Sequence, residues 1–185
     1  NANDLAQVPL LSAIAKTHCL AMRSKPLWRA GVEALARNEP VSIAAFRDAR
    51  MADYVQRLIA GGSIETIYVF SGQMGQYVPA DFKGRVLMDL VDVDSAKFEA
   101  YGQSGRAPRR WIDAREGRLL RAEEERLARA ATETLFVSEA EAELFRSRLS
   151  DCASIRVSAL RNGIDADYFD PAQGFDPAPF ADQAG

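Results

Sequence analysis

The sequence predicts an α/β protein, a Rossmann-like parallel sheet with helices on both faces, and three observations predict it. Apolar runs rich in β-branched residues occur at 63–71 ("SIETIYVFS"), 85–93 ("RVLMDLVDV"), 133–138 ("ETLFVS") and 154–160 ("SIRVSAL"). The second is nearly continuous rather than alternating, which suits a strand buried on both faces. Stretches of helical character separate the later strands, as crossovers between parallel strands require.

Taken in order, "LAQVPL" (5–10) reads as a short strand, followed by helices at about 12–22, 26–37 ("PLWRAGVEALAR") and 47–60 ("RDARMADYVQRLIA"). The last of these sets Met51, Tyr54, Val55, Leu58 and Ile59 on one face and stops at Gly61 and Gly62. After the second strand, Asp94 or Ser95 caps a helix beginning "SAKFEAY". A long helix runs from about Pro108 to Ala130, with Ile112, Leu119 and Leu127 as its expected buried stripe. Eight arginines between 106 and 130 are interleaved with Asp113, Glu116, Glu123, Glu124 and Glu125. Spacings such as Glu125 to Arg129 make this a salt-bridged, solvated helix rather than a site for nucleic acid or anionic lipid. Arg106, Arg109 and Arg110, ahead of most of the acids, are its better anion-binding candidates. Ser138 followed by Glu141 has the spacing of a capping box and starts a further helix. Residues 1–162 are therefore expected to form one domain. From 163 to 185 the chain turns rich in Asp, Pro, Gly and Ala and reads as a linker or docking tail.

Composition narrows the function. With 185 residues, 48% of them apolar, the chain can bury one good core, and a net charge of −3 gives it no general attraction for polyanions. No run approaches the roughly 20 apolar residues that span a bilayer and no signal peptide opens the chain, so a cytoplasmic setting is expected. Two cysteines far apart and one histidine exclude a multi-Cys/His zinc site; His18 and Cys19 read as core or packing residues.

In parallel sheets, ligands collect at the carboxyl ends of the strands. Those ends carry "SGQMGQY", "DVDSAKF", "VSEAE" and "RNGID". Neither GxxxxGK[ST] nor GxGxxG occurs, and "GQMG" (72–75) is a phosphate-touching loop or simply a turn. Asp92 and Asp94 admit several chemistries. A strand followed by DxDS looks like the opening of a haloacid-dehalogenase-type phosphatase, with a nucleophilic first Asp and a bound Mg²⁺. That chemistry wants a later lysine, and none follows Lys97. DxD is also the divalent-cation motif of single-domain sugar transferases. A third reading is an acidic loop that hydrogen-bonds a sugar or positions an acceptor hydroxyl without a metal, and a fourth is capping alone. Asp89, inside the apolar run, is expected to pair with an arginine, because a buried carboxylate needs a partner.

"LMDLVDVDSAKFEAY", "REGRLLRAEEERLARAATETLFVSEAEAELF" and "RNGIDADYFDP", in that order, closely resemble the N-terminal half of a family 4 glycosyltransferase. The likeness is greatest to the bacterial subgroup associated with exopolysaccharide and PEP-CTERM/exosortase gene clusters. It spans about 65–171 and extends more loosely to the helix before it. The resemblance implies one half of a GT-B fold: an acceptor-side domain facing a C-terminal donor domain that the chain does not contain, with the usual opening strand and glycine-rich loop also expected to be missing. It implies a retaining transferase that uses a nucleotide sugar as co-substrate, with no metal and no further cofactor, and no activity in this portion alone. The implied partners are a nucleotide sugar, held mainly by the other domain, and a saccharide or lipid-linked saccharide acceptor, the latter consistent with peripheral contact at the inner membrane. By position, Asp92 and Asp94 occupy the loop where relatives place a polar residue, often histidine, near the transferred sugar. They are the expected catalytic residues, with Ser71, Gly72, Ser95, Ser138, Glu139 and Asn162 as expected substrate contacts. Asn162 and Gly163 also suit a turn between domains.

Overall fold

The computed structural model describes residues 8–170 and residue 172. Four parallel strands, β1 (Thr66–Phe70), β2 (Arg85–Val91), β3 (Glu133–Phe136) and β4 (Val157–Ala159), form a sheet in the order β1-β2-β3-β4, flanked by helices in the α/β, Rossmann-like arrangement the sequence predicts. Helices α1 (Val8–Ile14), α2 (Leu27–Arg37), α3 (Val41–Ala45) and α4 (Ala49–Ala60) precede the sheet. A 3-10 helix (Gly72–Tyr77) follows β1, α5 (Asp94–Ser104) and α6 (Arg109–Ala130) join β2 to β3, and α7 (Glu139–Arg148) joins β3 to β4.

The register aligns Val69, Met88, Thr134 and Val157 in one row across the sheet. That side carries the core: Val69, Met88 and Leu90 pack with Leu127 and Ala128 of α6, Phe136, and Phe145 of α7. The Phe136 and Phe145 rings lie 4.9 Å apart, and Phe136 is fully buried. The neighbouring row holds Phe70, Asp89, Leu135 and Ser158, and here Tyr68 and Phe70 of the edge strand are exposed.

Helices α5 and α6 form a close hairpin that glycine permits. A Cβ at Gly117 would stand 2.8 Å from the Glu99 backbone nitrogen, and one at Gly102 would stand 2.9 Å from Cα of Ala114. The buried face of α6 differs from the expected one. Leu127 is buried, but Ile112 is exposed and Leu119 only half-buried. Asp113, Glu116, Gly117, Leu120 and Glu124 occupy the inner face. Two of the three buried acids cap other helices: both Glu116 oxygens accept the Val41 and Ser42 N–H groups at the start of α3 (2.8 and 2.9 Å), and Glu124 accepts the Ser95 N–H at the start of α5 (2.8 Å). Arg115 reaches the carbonyls of Ala34 (3.1 Å) and Glu39 (3.3 Å), at and just beyond the end of α2. A carboxylate at a helix start and a guanidinium at a helix end both suit the helix dipole.

The N-terminal helices differ from expectation in two places. Val8–Ile14 is helical where residues 8–10 were expected to end a strand, and residues 5–7 lie outside the described part. Residues 15–26 form no helix, so His18 is exposed and Cys19 half-buried rather than part of a core. Helices α2 and α3 meet through Ala30, Ala34, Ala44 and Ala45, braced by Lys25–Glu33 (2.6 Å), Arg47–Glu33 (2.8 Å) and Arg47–Glu39 (2.5 Å). The expected tail, 163–185, is described only to 170 and at 172.

Candidate functional site at the carboxyl edge of the sheet

A residue of left-handed backbone follows β1, Ser71 (φ 73°), and another ends β2, Val91 (φ 70°). A β-branched residue resists that conformation, at a cost on the order of 1–3 kcal/mol that surrounding structure must offset. The register slips between Asp89 and Val91, and the Asp89 carboxylate accepts the Val91 N–H at 3.0 Å. Its second oxygen accepts the Tyr68 hydroxyl from the neighbouring strand. Asp89 is therefore paired with Tyr68 and with its own turn, not with an arginine. Its negative charge raises the Tyr68 pKa, chiefly through that hydrogen bond. A buried acid thus holds the bent strand end that presents the next two aspartates.

Asp92 and Asp94 stand at the lip, each about one-third exposed, and Lys97 bridges them at 2.7 and 3.2 Å. The Lys97 pKa is raised, first by its hydrogen bond to Asp92. From the β1 side, Gln73 donates to Asp94 at 3.5 Å and shares a hydrogen bond with Ser71. Gly72, Gln73, Asp92 and Asp94 line a recess of about 10 Å³ together with Ile43 and Glu124, room for one water at most. Ligand contact is therefore confined to the lip: two carboxylates, one ammonium and one carboxamide, a set suited to hydroxyl groups.

The other expected contacts separate. Ser95 is fully buried, its N–H and hydroxyl both bonded to Glu124 (2.8 and 2.6 Å), so it supports the lip from beneath and does not reach a ligand. Ser138 caps α7 as expected, its Oγ accepting the Glu141 N–H at 3.2 Å, but the Glu141 carboxylate turns away to accept the Val93 N–H at 2.8 Å. That bond ties the lip loop to the next helix. Glu139 pairs with Arg146 at 2.7 Å and Asn162 is exposed beyond β4; both lie along the same sheet edge, outside the recess.

Sequence reasoning missed Glu124 and Gln73. Burial pushes the Glu124 carboxyl up to about 7; the Ser95 bonds oppose this, and the Asp94 charge reinforces it. The signal was present in the spacing: Asp113, Glu116, Leu120, Glu124 and Leu127 recur at three and four, the face on which α6 meets the core. Arg148 extends the network, donating to Ser95 Oγ (3.1 Å) and to Glu99 (2.8 Å). Arg106, Arg109 and Arg110 are all exposed and lie outside the recess.

Among the described residues, no group of three or more His, Cys, Asp or Glu side chains is placed to hold a metal ion, and no helix is long and apolar enough to cross a membrane. No protein-family model, curated protein or solved structure matches the chain.

Proposed function

We propose that the chain is the acceptor-side domain of a retaining, nucleotide-sugar-dependent glycosyltransferase of bacterial exopolysaccharide assembly, working in the cytoplasm with peripheral contact at the inner membrane. The observation that carries this reading is the lip itself. Two adjacent parallel strands end in strained turns that bring Gln73, Asp92, Asp94 and Lys97 together at the edge of the sheet where such folds take their ligands. The motif order that resembles family 4 transferases supports it independently. In this reading Asp92 and Asp94 accept hydrogen bonds from acceptor or sugar hydroxyls, and Lys97 holds the two carboxylates side by side. A second domain carries the nucleotide sugar and closes over the lip, excluding water from the reacting centre.

The test is transfer from a panel of nucleotide sugars to saccharide and lipid-linked acceptors by the full-length protein. Asp92→Asn and Asp94→Asn are each expected to lower kcat/KM by about tenfold to a hundredfold, the range of a lost hydrogen bond to a charged group. Both side chains are partly exposed, so the variants should keep the wild-type Tm. Calorimetry that finds no nucleotide sugar bound would replace this reading with a non-catalytic binding module. Mg²⁺-dependent phosphate-ester hydrolysis lost in Asp92→Asn would replace it with a phosphatase.

A further inference from the structure

A second cavity, of about 330 Å³, lies between the N-terminal helices and the α5–α6 hairpin. Leu27, Val41, Phe46, Phe98 and Ile112 give it apolar walls. Two polar groups in those walls have unused bonding capacity. Ser42 Oγ is buried with no hydrogen-bond partner. The Asp113 side chain is nine-tenths buried and accepts no hydrogen bond among the described residues. Its ionic neighbour, Arg109, lies 3.6 Å away with its side chain 85% exposed. Arg109 and Asp113 both also line a neighbouring hollow with Tyr101, Ser104 and Gly105, so Asp113 stands in the wall between the two. Its one ionic partner is therefore a surface guanidinium, and no cation among the described residues reaches it from within the apolar cavity at hydrogen-bond distance.

Polar groups bordering apolar walls gain from a partner that reaches them within hydrogen-bond distance. The remaining charges favour a cation. Glu116 also lines the cavity, its oxygens engaged with Val41 and Ser42, and Arg23 at the exposed end lies 5.6 Å from the Phe46 ring. Two carboxylates thus face one guanidinium. From this geometry we propose that the cavity binds an apolar molecule ending in a protonated amine, with the hydrocarbon between Leu27, Phe46, Phe98 and Ile112, the ammonium on Asp113, and Ser42 Oγ accepting a further N–H bond. The site is separate from the lip, from which α3 divides it: Ile43 faces the recess, and Val41, Ser42 and Ala45 face the cavity. The proposal does not depend on the transferase reading.

Octylammonium, 1-octanol and octanoate, three molecules of equal chain length and different head charge, test it by calorimetry on the whole chain. Octylammonium should bind about tenfold or more tightly than the other two, as a charge-assisted bond would give. Asp113→Asn should abolish that preference, while Arg23→Gln should leave or increase it. Asp113→Asn should also keep or raise Tm, because it removes a buried charge without removing a hydrogen bond, whereas a purely structural Asp113 would lower it. Ile112→Trp, at an exposed position that tolerates change, should weaken the binding of all three ligands by filling the mouth. Octanoate or octanol binding as tightly as octylammonium would overturn the proposal, as would no octylammonium binding at millimolar concentration, or an unchanged preference in Asp113→Asn.

Discussion

Phe136 and Phe145 pack in the sheet core with almost no exposure, whereas the apolar stripe of α2, formed by Leu27, Trp28, Val32 and Leu35, stands more than 60% exposed at every position. Both regions have the apolar spacing that predicts burial, yet α2 packs on its alanine face instead. Apolar contact secures the sheet region. Ion pairs, helix-end caps and small-residue packing secure the N-terminal helices. The difference teaches that hydrophobic periodicity identifies a face but does not say what covers it.

Four measurements can break or sharpen that comparison. Phe136→Ala should cost about 3–5 kcal/mol, enough to unfold the sheet region, since it opens a cavity at a fully buried position. Denaturant titration giving less than about 1 kcal/mol would remove the contrast altogether.

The regions should also respond to pH in opposite directions. Glu124, raised to about 7 in the fold from an ordinary value of 4.5, is most stabilising when protonated. Its contribution is complete below pH 4.5 and is lost as pH rises through about 7, a change of about 3 kcal/mol at 1.36 kcal/mol per unit. Glu33 is lowered to about 2, chiefly by its bonds to Lys25 and then Arg47, so its contribution is present above pH 4.5 and lost as pH falls through about 2. Glu124→Gln should flatten the sheet region's decline between pH 4.5 and 7. A wild-type unfolding free energy that is flat across that interval would count against a buried, neutral-titrating Glu124.

Glu116→Ala removes the only acceptor the described residues offer to the Val41 and Ser42 N–H groups and should cost about 1–3 kcal/mol. Hydrogen exchange should then accelerate across 41–45 while β2 amides keep their protection. The smallest effect is expected at Val32, where serine should change stability by no more than about 0.5 kcal/mol. A loss above about 1.5 kcal/mol at Val32 would mean that the α2 stripe is covered in solution.

Much of this architecture was legible in the chain. The β-branched runs marked β1 and β2, "SEAE" marked the start of α7, and the Glu125–Arg129 pair forms at 2.6 Å as its spacing implied. What escaped was held by distant partners. Helix α3 has five residues and no local cap, because its cap is Glu116, 75 positions away. The role of Asp89 depends on Tyr68 and on a register slip, neither of which leaves a local signature. The lip aspartates could be placed from sequence because they follow a strand. The buried glutamate beneath them was masked by charged neighbours that look solvated, although its spacing from Glu116 and Leu120 puts it on the inner face of α6.

The two capping carboxylates of α6 have a consequence for how this chain can vary. Glu116 and Glu124 are eight residues apart on one rigid rod, about 12 Å along the axis, and each plugs the first turn of a different helix. A substitution between them disturbs one contact. Inserting or deleting a single residue would swing one carboxylate by about 100° around the rod relative to the other, unplugging α3 or α5 whichever way the helix settled. The segment from 116 to 124 therefore acts as a gauge block: its outward residues are negotiable, whereas its length, Gly117 and Leu120 are not.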